Sequence, residues 1–110
     1  MPWLVVNGTP VCPLELATTP WERSRGLLGR SDFDGAVLLA PAFAVHTIGM
    51  RFPIDVAFCS SSLRVIATVT MARHRLGRPR ARARSVLEAA AGAFASWGLT
   101  PGSQLAIRDD

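Results

Sequence analysis

Between Pro53 and Ser60 the chain reads Ile54-Asp55-Val56-Ala57-Phe58-Cys59, an apolar run interrupted by one carboxylate. The composition of that run predicts a buried strand. Asp55 then constrains everything around it. A buried carboxylate has to be paired, hydrogen-bonded or protonated, so the fold must bring polar partners to it. His46-Thr47-Ile48-Gly49-Met50 precedes the strand as a loop-like segment with polar groups, a glycine and a soft sulfur. Val45 to Cys59 is therefore the first place to look for a site.

The rest of the chain is punctuated at short intervals. Asn7-Gly8 predicts a two-residue hairpin between strands at Trp3–Val6 and Val11–Leu16. Pro13 suggests an edge position for the second, because proline cannot donate to a ladder. Thr19, Pro20 and Glu22 fit the N-cap, first turn and reciprocal cap of a helix running to about Leu28 and stopping at Gly29. Ala36–Ala40 is a strand that Phe43–Val45 could continue after Pro41. Leu63–Thr70 pairs with Ile54–Cys59 across three serines, and its alternation predicts one buried face, that of Leu63, Val65, Ala67 and Val69. Residues 71–84 predict a long exposed loop. Ser85–Glu88 returns to strand character, and Ala89–Trp97 is helix-permissive up to Gly98. Thr100-Pro101-Gly102 fits a type II turn before a last strand at Leu105–Ile107. Together these predict a mainly β fold, a small β-sandwich or barrel of jelly-roll kind with one or two short helices, formed by residues 1–110 as a single domain.

Composition narrows the classes. A chain of 110 residues, 49% hydrophobic and 18% charged, is long enough for one core and too apolar for disorder. Its net charge of +4 rests on twelve arginines and no lysine. Six of those arginines fall in residues 71–84, so the remainder, with eight acids, nets −2. The positive charge is local. Cys12 and Cys59 are too few for a disulfide framework, and no histidine or cysteine spacing suits a metal. No cofactor motif is present. The N-terminus lacks the pattern of a signal peptide, and no apolar run reaches the roughly 20 residues of a membrane span. The expectation is a soluble, cytoplasmic protein; its oligomeric state is left open.

Glu22-Arg23-x-Arg25-Gly26-Leu27, Pro53-Ile54-Asp55, and Val86-Leu87-Glu88 followed by Gly92 resemble, in that order, the domain of unknown function 192 family. The likeness runs from about Ala17 to Ile107. It implies a compact, mostly β domain of jelly-roll or barrel type and lends no catalytic residue. Many relatives carry a Trp-Met-x-Asn-Thr run before Pro-Leu-Asp, where this chain has His46 to Met50. The acidic residue often found after the last turn glycine is Ser103 here. A ligand held by those side chains would differ in this protein.

The candidate ligand-binding residues are Arg23, Arg30, His46, Thr47, Asp55 and Glu88. Asp55 either accepts backbone N–H bonds to pin the His46–Met50 loop or pairs with an arginine. Arg23 and Arg30 either decorate a solvated helix surface or fork onto Asp55 and Glu88. His46 and Thr47 are either loop scaffolding or ligand contacts. Cys59 lacks the electropositive setting and base that a nucleophile needs. Three functions follow. The first is a binding or accessory module for a small polar or anionic ligand. The second is a hydrolase-type enzyme with His46 as base oriented by Asp55. The third is an interaction protein that docks acidic partners through the arginine-rich loop. A solvated loop is the plainer reading of that segment. Nucleic acid is disfavoured by the absence of interleaved aromatics, although Arg73–Arg84 keeps that route open.

Overall fold

Asn7 and Gly8 both adopt left-handed backbone and join β1 (Pro2–Val6) to β2 (Thr9–Ala17), the hairpin that Asn-Gly predicts. The computed structural model describes residues 2–30 and 33–109. After β2 come α1 (Pro20–Arg25), β3 (Ala36–Leu39), β4 (Ile54–Cys59), β5 (Val65–Met71), β6 (Ser85–Ala90), α2 (Ala93–Trp97) and β7 (Leu105–Asp109).

The strands hydrogen-bond in the order β5-β4-β6-β3-β2-β1-β7. All neighbours are antiparallel except β2 and β3. The two ends of this order meet. Val65 N donates to Ser103 O at 2.9 Å, Gly102 N to Val65 O at 2.8 Å, and Leu105 N to Leu63 O at 2.9 Å. The sheet thus curls into a barrel, closed where β5 begins beside the start of β7. Closure protects both edge strands at that end.

Two apolar cores form, one on each face of the curled sheet. Leu4, Leu14, Leu38, Ala57, Leu87 and Leu105 fill the inside, with Phe94 of α2 and Leu99 packed among them. Val37, Leu39, Ile54, Val56, Phe58 and Val86 face outward and are covered by Leu27, Met50, Met71 and Ala83. Both faces of β3, β4 and β6 are therefore buried, which is why these strands read as continuous apolar runs.

Several local expectations change. Pro13 does not mark an edge: β2 lies between β1 and β3, and the proline is tolerated because the ladder with β3 begins one residue later, at Leu14. α1 stops at Gly26, not Gly29. Ala89 and Ala90 belong to β6, because pairing with β4 outweighs alanine's helix preference. Leu63–Val69 does not present one buried face. A register shift opposite Phe58 and Cys59 sends Val65 to the inner core but Ala67 and Met71 to the outer one.

Phe43–Val45 does not extend β3. It crosses the outer face and joins the arginine-rich segment in an irregular ribbon. Arg80 N donates to Phe43 O, Gly77 N to Val45 O, and Thr47 N to Arg75 O, each at 2.8 Å. His46 and Leu76 form an isolated bridge. Residues 72–84 are therefore tied down along much of their length, although most of their side chains are exposed.

Candidate functional site

The buried acids decide where a site can be. On β4, Asp55 is paired with Ala89 of β6, and its neighbour Val56 with Glu88. Strand alternation then puts Asp55 on the inner face and Glu88 on the outer one. The two carboxylates are separated by the sheet, and the four-residue charge network with Arg23 and Arg30 does not form.

Asp55 is fully used by its own surroundings. Thr70 Oγ1 donates to Oδ1 at 2.7 Å, while Gly92 N and Phe94 N donate to Oδ2 at 3.0 and 3.1 Å. Gly92 is the N-cap of α2 and has no side chain to cap it. Asp55 supplies that cap from the neighbouring strand. It accepts backbone N–H bonds, but from α2 and not from the His46–Met50 loop. No arginine among the described residues pairs with it.

Arg30 also lies apart. It donates to both oxygens of Glu15, at 3.1 and 2.6 Å, and its guanidinium stacks 4.7 Å above the Phe33 ring. Thr47 is buried and fastens the ribbon: its hydroxyl donates to Ala72 O at 2.6 Å and accepts from Arg75 N at 2.8 Å. Gly49 has a positive φ, and its N–H donates to His74 Nδ1 at 3.1 Å. The histidine that fixes this loop is thus His74, which its place in an arginine run had hidden.

Glu88, Arg23 and His46 do come together. They line one cavity of about 540 Å³ between α1, the Pro41–His46 segment and the outer face of β6. Its apolar wall includes Leu39, Pro41, Phe43, Val45 and Met50, and Arg25 and Arg84 join Arg23 as its cationic members. Nothing in the sequence places the Pro41–Val45 wall or Arg84 beside Glu88. No local signal marked them, since Phe43–Val45 reads in sequence as a continuation of β3.

Glu88 is 1% exposed. Its Oε1 accepts one bond, from Leu27 N at 3.3 Å, and Oε2 accepts none among the described residues. Burial pushes its carboxyl up to about 7, with the Leu27 bond pulling the other way. Gly26 makes the approach possible, since a Cβ there would lie 2.5 Å from Oε1.

The rise carries a stability consequence with a definite sign. Between about 4.5 and about 7 the unfolded chain ionises at this residue while the folded one keeps its proton. Stability due to Glu88 is complete below that window and declines through it, by at most about 1.4 kcal/mol per pH unit. Urea unfolding across this range is expected to show the decline in wild type and to lose most of it in Glu88→Gln. Equal slopes in the two proteins would refute it.

The hydrolase pair is not built. His46 is on the ribbon over the outer face, and Asp55 faces inward with both oxygens engaged. Burial raises the thiols of Cys12 and Cys59 to about 11, which disfavours the thiolate form of both. Among the described residues, no three metal-ligating side chains cluster, and no helix is long and apolar enough to cross a membrane.

The DUF192 family model, described as an uncharacterized ACR, matches residues 4–107. The chain belongs to the DUF192 family. This DUF192 domain also resembles two solved structures. One is a protein of unknown function from Novosphingobium aromaticivorans, 25% identical, with a TM-score of 0.82 over 94% of this chain and 83% of that one. The other is a putative transcription regulator from Sinorhizobium meliloti, 21% identical, with a TM-score of 0.80 over 96% of this chain and 93% of that one; it shows the shared fold alone. No curated protein matches.

Proposed function

We propose that this DUF192 domain is a small-molecule-binding module whose receptor is the cavity at Glu88. The observation that carries the reading is a buried carboxyl with one oxygen unpartnered among the described residues, facing a space of ligand size. A carboxyl at the wall of such a space gives a ligand a fixed hydrogen-bond partner. The mouth favours an anion. Arg23 donates to Thr18 O and Arg84 to the carbonyls of Ala81 and Ala83; neither guanidinium, nor that of Arg25, has an acidic partner among the described residues. A small organic acid with an apolar body suits this arrangement. Its anionic group would meet the arginines and His46, its body the Pro41–Val45 wall, and a polar end Glu88.

Thermal-shift titration with aliphatic and aromatic monocarboxylates and phosphate monoesters tests the reading. At least one class is expected to raise the melting temperature. The rise is expected to be greater near about pH 6 than about pH 8, because ionised Glu88 repels a bound anion. Ala44 is exposed at the cavity wall, so Ala44→Trp is expected to block binding without unfolding the domain. A shift that survives Ala44→Trp unchanged, or no shift with any class, would refute a receptor at this place.

A further inference from the structure

We infer that the ribbon formed by Phe43–Ile48 and Arg73–Arg82 is a docking surface for an anionic lipid bilayer. Three observations converge on it, and none depends on the cavity holding a ligand. The first is segregated charge. Arg73, Arg78 and Arg82 are exposed, and their guanidinium groups have no partner among the described residues. No acid occurs anywhere in residues 56–87.

The second is exposed apolar surface on the same ribbon. Leu76 is 79% exposed, Phe43 55% and Ile48 51%. Leu76 faces His46 across the ribbon's bridge, and Phe43 is bonded through its carbonyl to Arg80. Large apolar side chains gathered among cations mark an interaction site more than scattered ones do.

The third is order. Backbone bonds to residues 43–47, the Thr47 hydroxyl and Arg80 stacked 5.1 Å from Phe58 hold the ribbon in place. Much of the entropic cost of presenting these groups together is therefore met by the fold itself.

The mixture selects the partner. Arginine alone would suit any polyanion, but Leu76 and Ile48 gain nothing from a phosphodiester backbone. A bilayer interface rewards both features: cations at the anionic headgroups and leucine, isoleucine and phenylalanine at the acyl boundary. Nucleic acid would call for a row of aromatics to stack bases, and beside Phe43 the ribbon offers only the imidazoles of His46 and His74, the latter engaged by Gly49 N.

Flotation of the full chain with vesicles provides the test. The protein is expected to float with equimolar phosphatidylcholine and phosphatidylglycerol, to stay behind with phosphatidylcholine alone, and to be released by high salt. The triple variant R73Q/R78Q/R82Q is expected to partition about 100-fold less, near fivefold per arginine. Leu76→Ser, which leaves charge unchanged, is expected to cost about tenfold. Both variants alter exposed side chains, so their melting temperatures should match the wild type and report intact folding. Failure of the wild type to float with the anionic vesicles would overturn the inference, as would equal binding to neutral ones. So would a Leu76→Ser protein that binds like wild type, or binding to an RNA or DNA oligomer that exceeds vesicle binding and ignores Leu76→Ser; either marks a plain polyanion surface.

Discussion

Asp55→Ala is expected to lower unfolding free energy by about 3–5 kcal/mol, enough to move the melting temperature by about 10 °C or more in a domain of this size. Three donors converge on this carboxylate, and two of them, the N–H groups of Gly92 and Phe94, are backbone groups with no other acceptor among the described residues. Removing the acceptor leaves the Phe94 N–H unpaired beside the inner core that Phe94 helps fill, while that of Gly92, an exposed residue, is left to water. Charge-assisted bonds are the stronger kind, and an orphaned buried donor bears the full desolvation penalty. Asp55→Asn is milder: the amide oxygen can take the two N–H groups and the amide nitrogen can face the Thr70 hydroxyl, which then accepts. A loss of about 1–2 kcal/mol is expected for this substitution. Hydrogen exchange separates a cap from a ligand residue. In Asp55→Asn, amides of α2 should lose protection while those of α1 and the ribbon keep theirs. Little change in stability on Asp55→Ala would mean that the carboxylate is not the cap these bonds describe.

What the sequence disclosed follows the range of the interactions involved. The Asn7-Gly8 hairpin, the Thr19/Glu22 capping box and the bounds of β4 are set within a few residues, and each is found where it was expected. The barrel closure, the inner and outer faces and the cavity depend on pairings that no local pattern carries. Asp55 and Glu88 illustrate the difference. Each is an acid in an apolar strand, and nothing nearby in sequence says that β4 and β6 are adjacent in a register that turns the two to opposite faces. The same ignorance of register hid the irregularity that splits β5 between two cores. Of the six candidate ligand residues, Arg23, His46 and Glu88 line the cavity. Arg30, Thr47 and Asp55 are occupied by Glu15, the ribbon backbone and α2 respectively. Polarity in an apolar setting found the residues with unusual demands; only the fold shows which of those demands are already met.

Gly26 is where local and distant constraints coincide, and Gly26→Ala is expected to cost about 2–4 kcal/mol. Two causes contribute. The residue has φ of 48° and ψ of −123°, a conformation that side chains other than hydrogen resist by about 1–3 kcal/mol. Its missing Cβ is also the space that Glu88 Oε1 occupies. An alanine would push the carboxylate away, and Leu27 N, buried and bonded only to that oxygen among the described residues, would lose its acceptor. The two causes can be measured apart. Shortening Glu88 to alanine removes the clash but leaves the backbone strain, so Gly26→Ala should cost less in a Glu88→Ala background than alone. The difference is expected to be about 1–2 kcal/mol, within the range of couplings between residues in contact. Urea denaturation of the four proteins gives it directly. Additive effects would mean that backbone conformation alone requires glycine there. A coupling of the expected size would establish that α1 ends at Gly26, three residues short of Gly29, to admit a buried carboxyl against its last turn. The helix terminus and the cavity floor would then be one device: the chain turns away at Gly26 so that Glu88 can stand beneath it with an oxygen left over.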